Sequence, residues 1–283
     1  MSGQDERPSL GLAEMAESAA TGSVAALYAD IRATLGVDLV NLVYRHLATV
    51  PGALEWAWAN LAPHFRSGEI DAQAALLRER VQQAFSTWPA AFQFAPGAAA
   101  DLAGAARLAH VYTLNNSRNL MAFRHLLDED PGAAPVSMPA LPRSGAAPAP
   151  AFTLPAIPSW ETINPVDSET VLRLNRLGEA GEPVIVASLY RHLTLWPALL
   201  GDLEAALVQL DAQQEIARAL AFTVDTSRAI ARAHPVLMPE PAPAAVDAAL
   251  RARLRAFVDV TIPKMVPVGL AFEAAVTAAM PPV

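Results

Sequence analysis

The chain contains no cysteine. That excludes disulfides, thiolate nucleophiles, dithiol redox chemistry and cysteine-ligated zinc. The thiol peroxidases, an obvious guess for a small alanine-rich chain, go with them. Glycine is scarce, at 14 of 283 residues, and β-branched runs are few, so strands are not expected. Positive charge is also short: 20 Lys and Arg against 28 Asp and Glu leave a net charge of −8. Phosphate binding needs clustered Lys and Arg, so no nucleic-acid partner is expected. An anionic small molecule remains open, because one or two local arginines can hold it. No uncharged apolar run of about 18 residues occurs. The tail from Met265 to Val283 comes closest, but Pro267 and Glu273 interrupt it, and it reads as a core helix. "MSGQDERPSL" at the start has no basic-then-apolar leader pattern. No membrane partner is therefore expected, and the expected location is cytoplasmic.

What is present points to helices. Hydrophobic residues make up 53% of the chain, and much of that is alanine, the best helix former. "SVAALYADIRATLG" places Val24, Leu27, Ile31 and Leu35 on one stripe, with Thr21 or Ser23 to cap its start and Gly36 to close it. Further helices are expected over about 38–49, from Pro51 to about 65, and over 98–127 with a break near Asn115–Asn116. Residues 131–160 hold eight prolines and read as a stiff linker. Helical patterning restarts after it, with Gly178 as a stop.

The chain writes "YRHLATVP" at 44–51 and "YRHLTLWP" at 190–197. A spacing of this length exceeds solenoid repeats, which run roughly 20–50 residues. The expectation is an all-α protein with an internal duplication: one repeat over 1–130, the linker over 131–160, a second repeat over 161–283. The two repeats would pack as a pseudo-two-fold dimer within one chain, with a pocket at the seam. A homodimer of whole chains is also compatible with this layout.

"DIRATLGV" (30–37), "LATVPGALEWAW" (47–58), "SLYRHLTLWP" (188–197) and "VDVTI" (258–262), in this order and spacing, resemble the group I 2-haloacid dehalogenases. The resemblance implies two all-helical halves with the active site between them. It also implies hydrolysis of a small 2-halocarboxylate, in which a carboxylate activates water for direct attack on the carbon bearing the halogen. The family's asparagine falls in "YTLNNSRNL" at Asn116, and a serine beside its aspartate matches Ser188. The aspartate's own place falls on Leu189, which accepts no proton. Either another group serves as base, or the chain is a homologue that binds a small carboxylic acid without turning it over, or it is a hydrolase of another substrate.

The repeated motif supplies further candidates. Arg45 and Arg191 either grip a substrate carboxylate through the planar guanidinium or form structural ion pairs. Tyr44 and Tyr190 either donate to a ligand or pack in the core. His46 and His192 read as structural, because neighbouring helix residues point about 100° apart and cannot share a pocket with the arginines. Trp56 and Trp58 read as packing. Asn116 lies among three amides within five residues, and buried amides need partners. No G-x-S-x-G elbow, H-E-x-x-H pattern or Gly-rich phosphate loop occurs, so neither a metal nor a cofactor is expected.

Overall fold

The computed structural model describes residues 12–94, 99–127, 141, 154–179, 185–236, 238 and 240–280. Most of the expected linker therefore lies outside the described residues. Among those described there is no strand. The fold is all-α, as composition and periodicity predict.

Before the linker come α1 (Gly22–Leu35), α2 (Leu42–Leu47), α3 (Ala53–Arg66), α4 (Glu69–Ala84) and α5 (Ala99–Leu127). After it come α6 (Pro165–Arg176), α7 (Ser188–Leu193), α8 (Pro197–Ala212), α9 (Glu215–Ala233), α10 (Ala248–Ala256) and α11 (Ile262–Ala279). A π-helical turn, Phe257–Thr261, joins α10 to α11 without a break in the helical path. The order of lengths runs in parallel. A medium helix precedes a six-residue helix carrying Tyr-Arg-His-Leu, then two medium helices, then a long one. Helices in corresponding places meet: α5 packs along α11, and α4 packs on α9.

Local chemistry accounts for several boundaries. Gly36 ends α1 at φ 67°, a left-handed conformation that glycine adopts without a Cβ penalty. Gly178, at φ 73°, follows α6. Pro197 is the first residue of α8, where its missing N–H is no loss. Pro51 does not do the same for α3. Gly52, at φ 76°, intervenes, and the helix begins at Ala53. The expected break near Asn115–Asn116 is absent, and α5 runs through both residues. Thr21 precedes α1 but its side chain makes no cap bond.

The stretch Ala248–Ala279 is long and apolar enough to cross a membrane by length and composition, and 67% of its most apolar window is buried inside the protein. Twelve residues of α11 are buried, Pro267 among them. That burial depends on close approach to α5. A Cβ on Gly269 would lie 2.6 Å from Thr113 Oγ1, and that hydroxyl is held by donating to the Ala109 carbonyl at 2.7 Å. Gly269→Ala is therefore expected to lower stability by about 1–3 kcal/mol through overpacking, read from urea denaturation midpoints. An unchanged midpoint would mean the two helices can part freely.

Candidate functional site

A cavity of about 40 Å³ lies where α5, α7, α2 and the π-helical turn converge. Holding a water takes roughly 10–15 Å³ of such space, so the cavity has room for about three. Tyr112, Asn116 and Asn119 face it from α5; spacings of four and three residues put them on one side of that helix. Asn41, Leu42 and Val43 contribute from the start of α2, and Ile185 to Leu189 from the approach to α7 and its first turn. Phe257 and Thr261 close it from the π-helical turn, with Ile262 and Met265 from α11. Positions 41–43 and 187–189 are separated by 146 residues, the spacing of the repeated motif. The cavity thus sits between the starts of the two Tyr-Arg-His-Leu helices.

Asn116 and Ser188, far apart in sequence, are brought into this one wall. Leu189 is in it too, at 1% exposure. Asn119 accepts at Oδ1 from the Tyr44 hydroxyl at 2.9 Å, which fixes its amide orientation. Asn41 precedes α2 but its side chain does not cap it, and its buried Oδ1 has no partner among the described residues. Asn115 is fully buried with neither amide atom paired among them. Unpaired buried amides are costly; Asn41 lines the cavity and brings it an unused acceptor, whereas Asn115 does not line it. None of the described lining residues is a carboxylate, an imidazole, an amine or a guanidinium. Tyr112 is the one titratable group among them, and burial pushes its hydroxyl pKa up. No group of three or more His, Asp or Glu side chains among the described residues is placed to hold a metal.

The motif residues stand behind the wall. Tyr44 and Tyr190 are buried in the core, their hydroxyl pKa values raised by burial. Tyr44 packs edge-on to Trp58. Arg45 and Arg191 meet a single carboxylate, Glu14, at 3.0 and 3.5 Å. Arg191 also lies over the Trp160 ring at 5.8 Å. The segment bearing Glu14 is held in place on α1 and α2: Met15 N–H donates to the Arg45 carbonyl, the Tyr28 hydroxyl donates to the Met15 carbonyl, and His46 Nδ1 lies 2.7 Å from the Ala13 carbonyl. Trp56 donates to the Glu240 carbonyl and Trp58 to Asp30 while both remain buried.

Sequence reasoning reached Asn116, Ser188 and Leu189 but not Asn41, Tyr112, Asn119 or Thr261. Asn119 and Tyr112 were within reach, because both repeat Asn116 at helical spacing. Asn41 and Thr261 carry no such signal, and only the fold brings them here.

His192 is fully buried beside Tyr112, whose hydroxyl lies 3.3 Å from Nδ1. Burial lowers its pKa to about 4, and that of His125 on α5 to about 4 as well. Both imidazoles are neutral in the fold, while the unfolded chain takes up their protons below about pH 6.5. Their contribution is complete above pH 6.5 and is lost as pH falls towards 4. Urea denaturation at pH 7 and pH 5 is expected to show a marked loss of stability at the lower pH. His192→Asn, which cannot titrate, is expected to reduce that difference; an equal loss in the variant would remove His192 as its source.

No protein-family model matches the chain, and no curated protein matches it. Solved structures do, two of them as follows. One is a D-2-haloacid dehalogenase mutant in complex with D-2-CPA, the other a D-2-haloacid dehalogenase mutant. Each is 14% identical, superposes with a TM-score of 0.72, and is matched over 94% of this chain and 96% of its own. The chain has a haloacid-dehalogenase-like fold.

Proposed function

We propose that this protein holds a small 2-substituted carboxylic acid in the cavity between α2 and α7, and that it does not hydrolyse that acid by direct water attack. Leu189 carries this reading. It stands in the cavity wall where the resemblance places the water-activating carboxylate, and an alkyl chain accepts no proton. Base assistance contributes roughly 10²–10⁴-fold, and no described lining residue can supply it. The polar groups that remain suit an acid. The amides of Asn116 and Asn119 and the Ser188 hydroxyl can donate to a carboxylate, bonds that are strengthened by its charge. Val43, Leu189, Ile262 and Met265 would face the alkyl or halogen part. The parallel order of helices on either side of the linker supports reading the chain as two repeats, 1–130 and 161–283, with the ligand at their seam.

One observation favours a second reading, hydrolysis of a 2-halocarboxylate to a 2-hydroxy acid. Asn116 and Ser188, the residues the resemblance assigns to water and substrate, share the cavity. In that reaction the water oxygen bonds to C2, halide leaves with the bonding pair, and the proton passes to a base outside the described wall.

The two readings separate on one pair of measurements. The protein is expected to gain thermal stability with D- or L-2-chloropropionate while releasing no halide above buffer. Asn116→Ala is expected to lose the stabilisation. Halide release by the unaltered protein would establish the second reading, and the absence of any thermal shift would reject the first. Leu189→Asp is then expected to release halide, because the rest of the cavity is in place.

A further inference from the structure

A larger cleft, of about 670 Å³, lies beside the small cavity, and Ile185 and Thr261 line both. Its volume falls in the range of small-molecule sites, roughly 300–1,000 Å³, whereas the inner cavity has room for little more than an acid group and its first carbons. One side of the cleft is a stripe on α9: Ala217, Leu220, Ala221 and Val224, spaced three, one and three residues apart on a single helical face. The face that α9 turns to the core carries Ile216, Ala219, Thr223, Val224, Ser227, Ile230 and Ala231. The stripe adjoins that face and shares Val224 with it, so the apolar surface of α9 extends past the core into the cleft. Ala256 and Val260 stand in the wall as well. Charged groups line it too, among them the exposed Asp225 and the half-buried Arg228 on α9. Glu179 pairs with the buried Lys264, and Asp259 accepts from Arg124 and Arg228.

We infer that the ligand of this protein is a 2-substituted carboxylic acid with a long apolar tail, its acid end in the inner cavity and its tail along the α9 stripe. This rests on the reading above, that the inner cavity holds the acid. A two- or three-carbon acid would leave the cleft's apolar surface wet. A chain of six or more further carbons would cover it, and burial of apolar surface scales with the area removed from water. Ile185 and Thr261 line both volumes, so the tail would pass between the two cavities beside them. The π-helical turn makes the arrangement possible by giving Phe257 and Thr261 to one cavity and Asp259, Val260 and Thr261 to the other; such turns are frequent at functional sites.

The probes are 2-chloropropionate and 2-hydroxyoctanoate, with dissociation constants measured by calorimetry on the full chain. The eight-carbon acid is expected to bind at least tenfold more tightly. Ala221 is exposed and lines the cleft, so Ala221→Trp fills the cleft without entering the core. That variant is expected to lose the tenfold advantage and to bind 2-chloropropionate unchanged. Leu220→Glu, which adds charge to the stripe in place of bulk, is expected to do the same. Equal affinity for the two acids in the unaltered protein overturns the inference and leaves the proposed function standing. A long-chain advantage that survives both variants also overturns it. Binding of 2-chloropropionate alone likewise overturns the inference only, whereas failure of both acids to bind rejects the proposed function and this inference together.

Discussion

A guanidinium with no contact with solvent must be neutralised where it stands. Arg124, on α5, is such a group at 0% exposure. A buried charge without a partner costs several kcal/mol or more, and Arg124 finds its partners in one place. It donates to Asp259 at 2.7 Å, to the Val258 carbonyl at 2.6 Å and to Ser227 at 3.3 Å. Two of these lie in the π-helical turn and the third on α9. The extra residue of that turn puts Asp259 on α5 while Phe257 and Thr261 face the small cavity. The walls of both cavities are thus positioned by a charge that neither cavity contains. Arg228, half-exposed on α9, shares Asp259 at 3.0 Å and ties the apolar stripe to the same anchor.

The doubled Tyr-Arg-His-Leu motif is explained by support. Its arginines converge on Glu14. Tyr44 orients Asn119 and His192 meets Tyr112, so one residue of each motif braces a residue of the cavity wall. The wall itself is built from the positions just ahead of each motif, Asn41 to Val43 and Ala187 to Leu189. A short helix fixed by its buried side chains holds its first turn still, and it is the first turn that faces the cavity.

This division of labour explains what the sequence made legible. Alanine content and apolar periodicity are local signals, so the helices and their glycine stops at Gly36 and Gly178 could be read directly. Asn115 and Asn116 argue locally for a break, because asparagine competes for backbone hydrogen bonds. Packing of α5 along α11 overrides them, and the helix continues. Gly52 displaces Pro51 from α3 through a positive φ that no propensity scale registers. Ser188 is reached through resemblance alone, Asn116 through resemblance and the cluster of amides around it. Nothing near Glu14 marks it as the carboxylate between two arginines, one of them 177 residues away. The π-helical turn overlaps the segment "VDVTI", but its role appears only once Arg124 is placed against it.

The apolar side chain of Leu189 matches the wall around it. Val43, at the corresponding place 146 residues earlier, is also apolar, and Ile185, Ile262 and Met265 extend the same surface. A carboxylate set among these side chains would lose hydration, and its pKa would rise. Polarity enters the same wall beside them, from the α5 amides, the Asn41 side chain and the Ser188 hydroxyl. On the proposed reading, a ligand with one polar and one apolar end would be oriented by pairing its acid with these groups and its hydrocarbon with the alkyl side chains. The same leucine that brings no base to the wall would, on that reading, complete the apolar surface against which an acid is aligned.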